Sequence, residues 1–194
     1  DKLRNKAHKL IEDFDPLSIQ SVFDTNNQKH AEDKYFIESG DIIHFFFEKK
    51  AFDKKGNLNN SIELVINKIG HALHDLDPEF YSFSHREDLD NIAKSINIKL
   101  PKLLQSMYIF KQPRIGGEVI CHQDSTFLYT EPESTVGFWI ALENATIENG
   151  CLWVSSGGHK GPLRKLFKRQ SSKMEMITID STPFKKIDTA LEVK

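Results

Sequence analysis

From Pro101 onward the chain is a succession of short runs rich in β-branched and aromatic residues, at 103–110, 117–121, 136–142, 151–154 and 174–179, with turn residues between them. Runs this short, punctuated this often, bury their side chains by pairing into antiparallel sheets that stack on one another, so the second half reads as all-β. The first hundred residues differ. Leu3, Ala7, Leu10 and Ile11 recur at helical spacing, and this helix should stop near Asp15, because a residue before proline avoids the helical region. Tyr35-Phe36-Ile37, Ser39-Gly40-Asp41 and the run 42–48 predict a hairpin of two strands around a tight turn. Ile62, Val65, Ile66, Ile69, Leu73 and Leu76 then follow a helical period that ends before Pro78, and a further helix is expected over 86–95.

Helices first and short strands later define an α+β class in which helices pack against a jelly-roll sandwich, the architecture of the cupins. The 194 residues fit one domain, with 1–100 mainly helices plus a hairpin and 101–194 the jelly-roll strands. With 39% hydrophobic and 28% charged residues the composition is that of an ordinary globular protein. A net charge of -2, and no basic run interleaved with aromatics, speak against nucleic acid as a partner. No apolar stretch is long enough for membrane insertion. Two cysteines and no secretory signal predict a cytoplasmic protein, although the chain opens inside a helix, so that a trimmed targeting segment stays open. Oligomeric state leaves no trace in the sequence.

The residues that carry chemistry are His122 and Asp124. A strand ending near His122 puts both side chains on one side, because residues two apart share a face. An imidazole and a carboxylate held so, joined by a second His from elsewhere, form the facial triad of non-haem Fe(II) oxygenases, which leaves metal positions open for a chelating co-substrate and O₂. A His-x-Asp tripeptide alone is a weak signal, and a surface His beside a turn-forming Asp is the plain alternative. His71 and His74 share a helical face with Lys68 in the predicted helix, so a second metal pair is conceivable there. His44 reads as a satisfied strand residue, Cys121 points away from His122, and Cys151 lacks an activating base. The basic segment 164–169 reads as a solvated face.

Longer stretches sharpen the reading. Gln105-Ser106-Met107-Tyr108-Ile109-Phe110-Lys111-Gln112-Pro113, Gly116-Gly117-Glu118, and His122-Gln123-Asp124-Ser125-Thr126-Phe127-Leu128-Tyr129-Thr130-Glu131-Pro132 resemble the phytanoyl-CoA dioxygenase family. The similarity extends through Gly137-Phe138-Trp139-Ile140-Ala141-Leu142 and Glu148-Asn149-Gly150-Cys151-Leu152-Trp153, and back to Phe45-Phe46-Phe47-Glu48-Lys49 and Asn67-Lys68-Ile69-Gly70-His71. The resemblance implies a double-stranded β-helix, Fe(II) bound by His122 and Asp124, and 2-oxoglutarate contacted by Lys68, Met107, Gln123 and Trp139. Lys68 would offer an ammonium to a carboxylate, and Met107 and Trp139 apolar walls. Read from the residues alone, Lys68 is equally a solvated helix residue, and Met107 and Trp139 core filling.

The family pattern continues to a second iron-binding His and an Arg for 2-oxoglutarate, and the sequence stops first, so the jelly roll reads as truncated before its last core strands. Residues 191–194 read as the start of the strand leading there. His159 matches a family turn that holds no ligand, and its Ser155-Ser156-Gly157-Gly158 departs from the usual Pro-Gly-Ser type. The implied activity is hydroxylation of a small-molecule substrate, a fatty acyl group or acyl-CoA being one candidate, with 2-oxoglutarate converted to succinate and CO₂. No residue is expected to act as a general base. Two alternatives stay open: an inactive jelly-roll binding protein that lacks the distal His and Arg, and a Zn or Mn cupin-like hydrolase or isomerase.

Overall fold

The computed structural model describes residues 1–23, 33–171 and 173–194, which form two compact units, Asp1–Glu118 and Val119–Lys194. The architecture is mixed α and β with antiparallel sheets.

In the first unit, helix α1 (Lys2–Glu12) turns Ala7 and Ile11, both fully buried, into the core. It ends a little before Asp15, and Phe14 folds back to stack on Phe45 at 4.2 Å between ring centroids. The core sheet has three antiparallel strands in the order β1 (Ile43–Phe47), β2 (Ile66–His71) and β3 (Ser106–Ile109). Helix α3 (Leu73–Leu76) follows β2, and α4 (Pro78–Ser84) and α5 (Glu87–Ser95) complete the unit. Asp77 caps α4 by accepting from the Glu79 and Phe80 amides at 3.0 and 3.2 Å, and it pairs with Lys6 of α1 at 2.9 Å. One carboxylate thus starts a helix and fixes it to another.

Two expectations are corrected here. The segment 62–76 is not one helix: after a single 3₁₀ turn at Ile62–Leu64 it becomes the central strand β2. All six residues of β2 are buried, so the alternation that betrays a half-buried strand is missing. Phe46 pairs with Lys68 and Phe47 with Ile66, which leaves Asn67 as an extra residue. That bulge lets Ile66 and Ile69, three apart, both reach the core and mimic a helical period. The aromatic hairpin is also absent. Residues Lys34–Ile37 form a helical turn, α2, because Asp33 accepts from the Tyr35 amide at 2.9 Å and caps it. Strand β1 then pairs with β2 instead, and Tyr35 stacks on His44 at 3.7 Å.

The second unit contains two antiparallel pairs: β4 (Leu152–Val154) with β7 (Thr189–Leu191), and the hairpin β5 (Lys165–Gln170) with β6 (Lys173–Thr178). The basic run read as a solvated face is strand β5. Residues 117–121 and 136–142, expected as strands, form no ladder among the described residues, where no neighbouring strand offers them partners.

Candidate functional site

The residues expected to bind metal or co-substrate fall in both units. In the second, His122 and Asp124 meet. No ladder precedes them, yet the backbone of Gln123 between them is extended (φ -111, ψ 134), and that alone turns the flanking side chains to one side. His122 Nε2 lies 3.5 Å from Asp124 Oδ1. On the other edge of the ring, Nδ1 lies 2.8 Å from the Ile120 carbonyl oxygen. A carbonyl can only accept, so Nδ1 carries a proton, and Nε2 is the ring nitrogen that faces the carboxylate.

Asp124 opens a 3₁₀ turn over Asp124–Thr126, in which its own carbonyl accepts from the amides of Phe127 and Leu128, and Ser125 and Thr126 are buried. The hydrogen bond and charge of His122 hold the Asp124 carboxyl below its usual range, against an opposing push from burial. Phe127 sets its ring edge against His122 at 6.2 Å and packs on Phe167 of β5 at 5.8 Å. Gln123 Oε1 accepts from the Arg164 amide at 2.9 Å, and its Nε2 donates to the Pro162 carbonyl at 3.2 Å. Gly137 leaves room for the carboxylate: a Cβ there would stand 2.7 Å from Asp124 Oδ2. Trp139 follows two residues later in the same unit and is 42% exposed.

In the first unit, Lys68 and Met107 lie on one face of the sheet. Lys68 is directly opposite Phe46 and Ile109, and Gly70 opposite His44 and Met107, so these residues line the face away from the Ile69–Tyr108 core side. Met107 and Ile109 are 44% exposed, whereas Lys68 is only 5% exposed. The Lys68 ammonium sits 3.4 Å from the ring centre of Phe23, with Phe46 and Phe36 at 5.3 and 5.5 Å. No carboxylate pairs with it among the described residues, and burial holds its pKa down to about 7. The rings offer their negative faces in partial compensation. Gly70 lets Met107 and β3 approach β2 closely, since a Cβ there would stand 3.2 Å from Met107 Cγ and 3.3 Å from the Ser106 carbonyl oxygen.

The helical face expected to join Lys68, His71 and His74 does not exist, because Lys68 and His71 lie on a strand. His71 is buried with Nδ1 2.6 Å from Ser39 Oγ, and Ser39 donates its own proton to the Phe36 carbonyl, so His71 Nδ1 is the donor in that pair. Burial first, then the nearby Lys68 and His44, push its pKa down to about 3. His74 bonds to Ser106 Oγ at 2.8 Å and faces Asp75 at 3.4 Å. Both rings are held by structural hydrogen bonds.

The sequence model of the family described as phytanoyl-CoA dioxygenase matches residues 1–189. The chain belongs to the phytanoyl-CoA dioxygenase family. It is 50% identical over 167 residues to the phytanoyl-CoA dioxygenase of Arabidopsis thaliana, covering 86% of this chain and 59% of that protein. It is 46% identical over 173 residues to the phytanoyl-CoA dioxygenase domain-containing protein 1 of Bos taurus and over 176 residues to that of Mus musculus, covering 86% and 87% of this chain and 60% of each relative. The chain therefore spans about three-fifths of the length of these relatives.

For a phytanoyl-CoA dioxygenase family member the donor set at His122 and Asp124 fits a ferrous ion. An imidazole nitrogen and a carboxylate oxygen 3.5 Å apart are close enough for one ion to reach both, and the missing Cβ at Gly137 leaves the carboxylate its place. Among the described residues no group of three or more His, Cys, Asp or Glu is arranged to hold a metal. Also among them, no helix is long and apolar enough to cross a membrane. The sequence reading assigned no role to Gly137, Gly70 or the three phenylalanines around Lys68. Their signal is faint: Gly137, Phe36 and Phe46 stand in runs that read as strand, Gly70 in one that reads as helix, and Phe23 in none.

Proposed function

We propose that this protein is an Fe(II)- and 2-oxoglutarate-dependent dioxygenase that hydroxylates an organic small molecule and converts 2-oxoglutarate to succinate and CO₂. The observation that carries the reading is the His122 ring, with Nδ1 engaged by Ile120 and Nε2 directed at Asp124, inside a sequence that belongs to this family. The proposed fold is a double-stranded β-helix, to which the antiparallel pairs of the second unit belong. Bound iron would supply the activation of O₂ and the oxidation of 2-oxoglutarate and substrate. The protein's residues have humbler tasks.

His122 and Asp124 provide two facial ligands, one neutral and one anionic, which partly neutralise a divalent cation and leave its other positions for further ligands. Lys68 meets a carboxylate of 2-oxoglutarate. Its buried ammonium gains more from an arriving anion than an exposed lysine would, and the contact restores its protonated form. Met107 and Trp139 offer apolar walls that exclude water from the co-substrate. A fatty acyl or acyl-CoA substrate is proposed on the family's name alone. The two cysteines, Cys121 and Cys151, are both unbridged, which fits a reducing, cytoplasmic setting.

The test is succinate release from 2-oxoglutarate by the intact protein with Fe(II), beside a His122→Ala control. Succinate that depends on iron and disappears in the control is the expected result. No succinate, together with no visible absorption band when Fe(II) and 2-oxoglutarate are added anaerobically, would overturn the reading.

A further inference from the structure

Resting on that reading of the metal centre, we infer that Gln123 is the positioning residue of the His122–Asp124 pair, clamping it to the backbone at Pro162 and Arg164. A backbone amide can only donate and a carbonyl only accept, so the two bonds, Arg164 N–H to Gln123 Oε1 at 2.9 Å and Gln123 Nε2 to the Pro162 carbonyl at 3.2 Å, fix which way the side-chain amide faces. Both of its polar ends are thereby held by main-chain atoms of one short segment. Because side chains alternate along extended backbone, anchoring Gln123 on one side presents its two neighbours, His122 and Asp124, on the other.

The segment that receives Gln123 is itself held. The Arg164 carbonyl accepts from the amides of Ile179 and Asp180 at 2.9 and 3.1 Å, and its guanidinium pairs with Asp180 at 2.9 Å. Strand β5 begins at the next residue. A second link to the same hairpin is apolar: Phe127, which closes the turn that Asp124 opens, packs on Phe167 of β5. The ligand pair is therefore bracketed, with a polar attachment between its members and an apolar one just after them. A turn fixed at both points does not have to be ordered by the metal, so the clamp raises metal affinity through pre-organisation.

The experiment compares wild type with Gln123→Met, which keeps length and volume and removes both hydrogen bonds. Titrated with Co(II) alone and followed by its visible absorption, the variant is expected to bind about 10–100-fold more weakly, the range for losing a group that orients a metal ligand. With metal saturating, its affinity for 2-oxoglutarate is expected to stay within about twofold of wild type, since both ends of the side-chain amide are engaged by the backbone. Wild-type Co(II) affinity in the variant overturns the inference, and so does weakened 2-oxoglutarate binding with metal affinity unchanged. Gln123→Glu, which keeps the acceptor for Arg164 and loses the donor to Pro162, should fall between the two and replaces the first variant if that one does not fold. Should the wild-type protein take up no Co(II), the oxygenase reading fails by itself. The clamp is then decided by amide hydrogen exchange: faster exchange over 122–127 in the variant upholds it, and unchanged exchange overturns it.

Discussion

At Gly137 there is no room for one methyl group without moving the carboxylate of Asp124. The obstructing atom is the far end of a side chain, not backbone, so Gly137→Ala should fold with a stability change below about 1 kcal/mol. Its metal affinity should nonetheless fall about tenfold or more, because a carboxylate pushed away at Oδ2 also turns Oδ1 from its place opposite His122 Nε2; thermal melting beside a Co(II) titration measures both. Lys68 poses the opposite case, a residue the fold would be better without. Its folded pKa of about 7 lies below the ordinary lysine value of 10.5. Between those values the unfolded chain holds one more proton than the folded one, so this group makes stability rise with pH by up to about 1.4 kcal/mol per unit, and its penalty is complete below about pH 7. Lys68→Met should accordingly stabilise the protein at pH 7 by about 1–4 kcal/mol and abolish that rise, as urea melts at pH 7 and pH 9.5 would show. A charge retained at such a cost points to the anion it is proposed to meet.

At the scale of elements, local signals and tertiary partners divide the work unevenly. Helix α1 and helix α5 form where their apolar spacing and flanking residues place them. Helix α4 depends on Asp77, which also holds Lys6 of α1, and Asp77→Ala should lower stability by about 1–2 kcal/mol in chemical denaturation by removing the cap. Strand β2 shows why reading can fail. A strand buried on both faces and broken by a bulge displays neither alternation nor any polar residue in an outward place, and its Ile66 and Ile69 imitate a helix. The aromatic turn α2 fails for a different reason: three of its four residues favour a strand by propensity, and a single capping bond from Asp33 with packing on Phe46 reverses that preference.

At the scale of the whole molecule, long-range contacts decide what is held where. Buried Glu48 accepts from the Asn67 side chain at 3.0 Å and the Gly117 amide at 2.9 Å, tying the end of β1 to β2 and to the segment near the close of the first unit. Glu48→Ala leaves the buried Asn67 side-chain amide without its acceptor and frees the part-buried Gly117 amide, and should lower stability by about 1–3 kcal/mol, measured by urea titration. No sequence pattern announces that carboxylate, since the residues it joins are distant along the chain.

By itself the sequence determined the family, the α+β class, the helices at both ends of the first hundred residues, and the side-by-side placement of His122 and Asp124, which needs only one extended residue between them. Those features are local, or rest on long ordered motifs. Tertiary structure alone decided that 66–71 is a strand, that Lys68 lies among three phenylalanines, that Gly137 adjoins Asp124, and that Gln123 grips the backbone at 162–164. Each of these depends on a partner far along the chain, where packing and hydrogen bonding outweigh the propensity of any short segment.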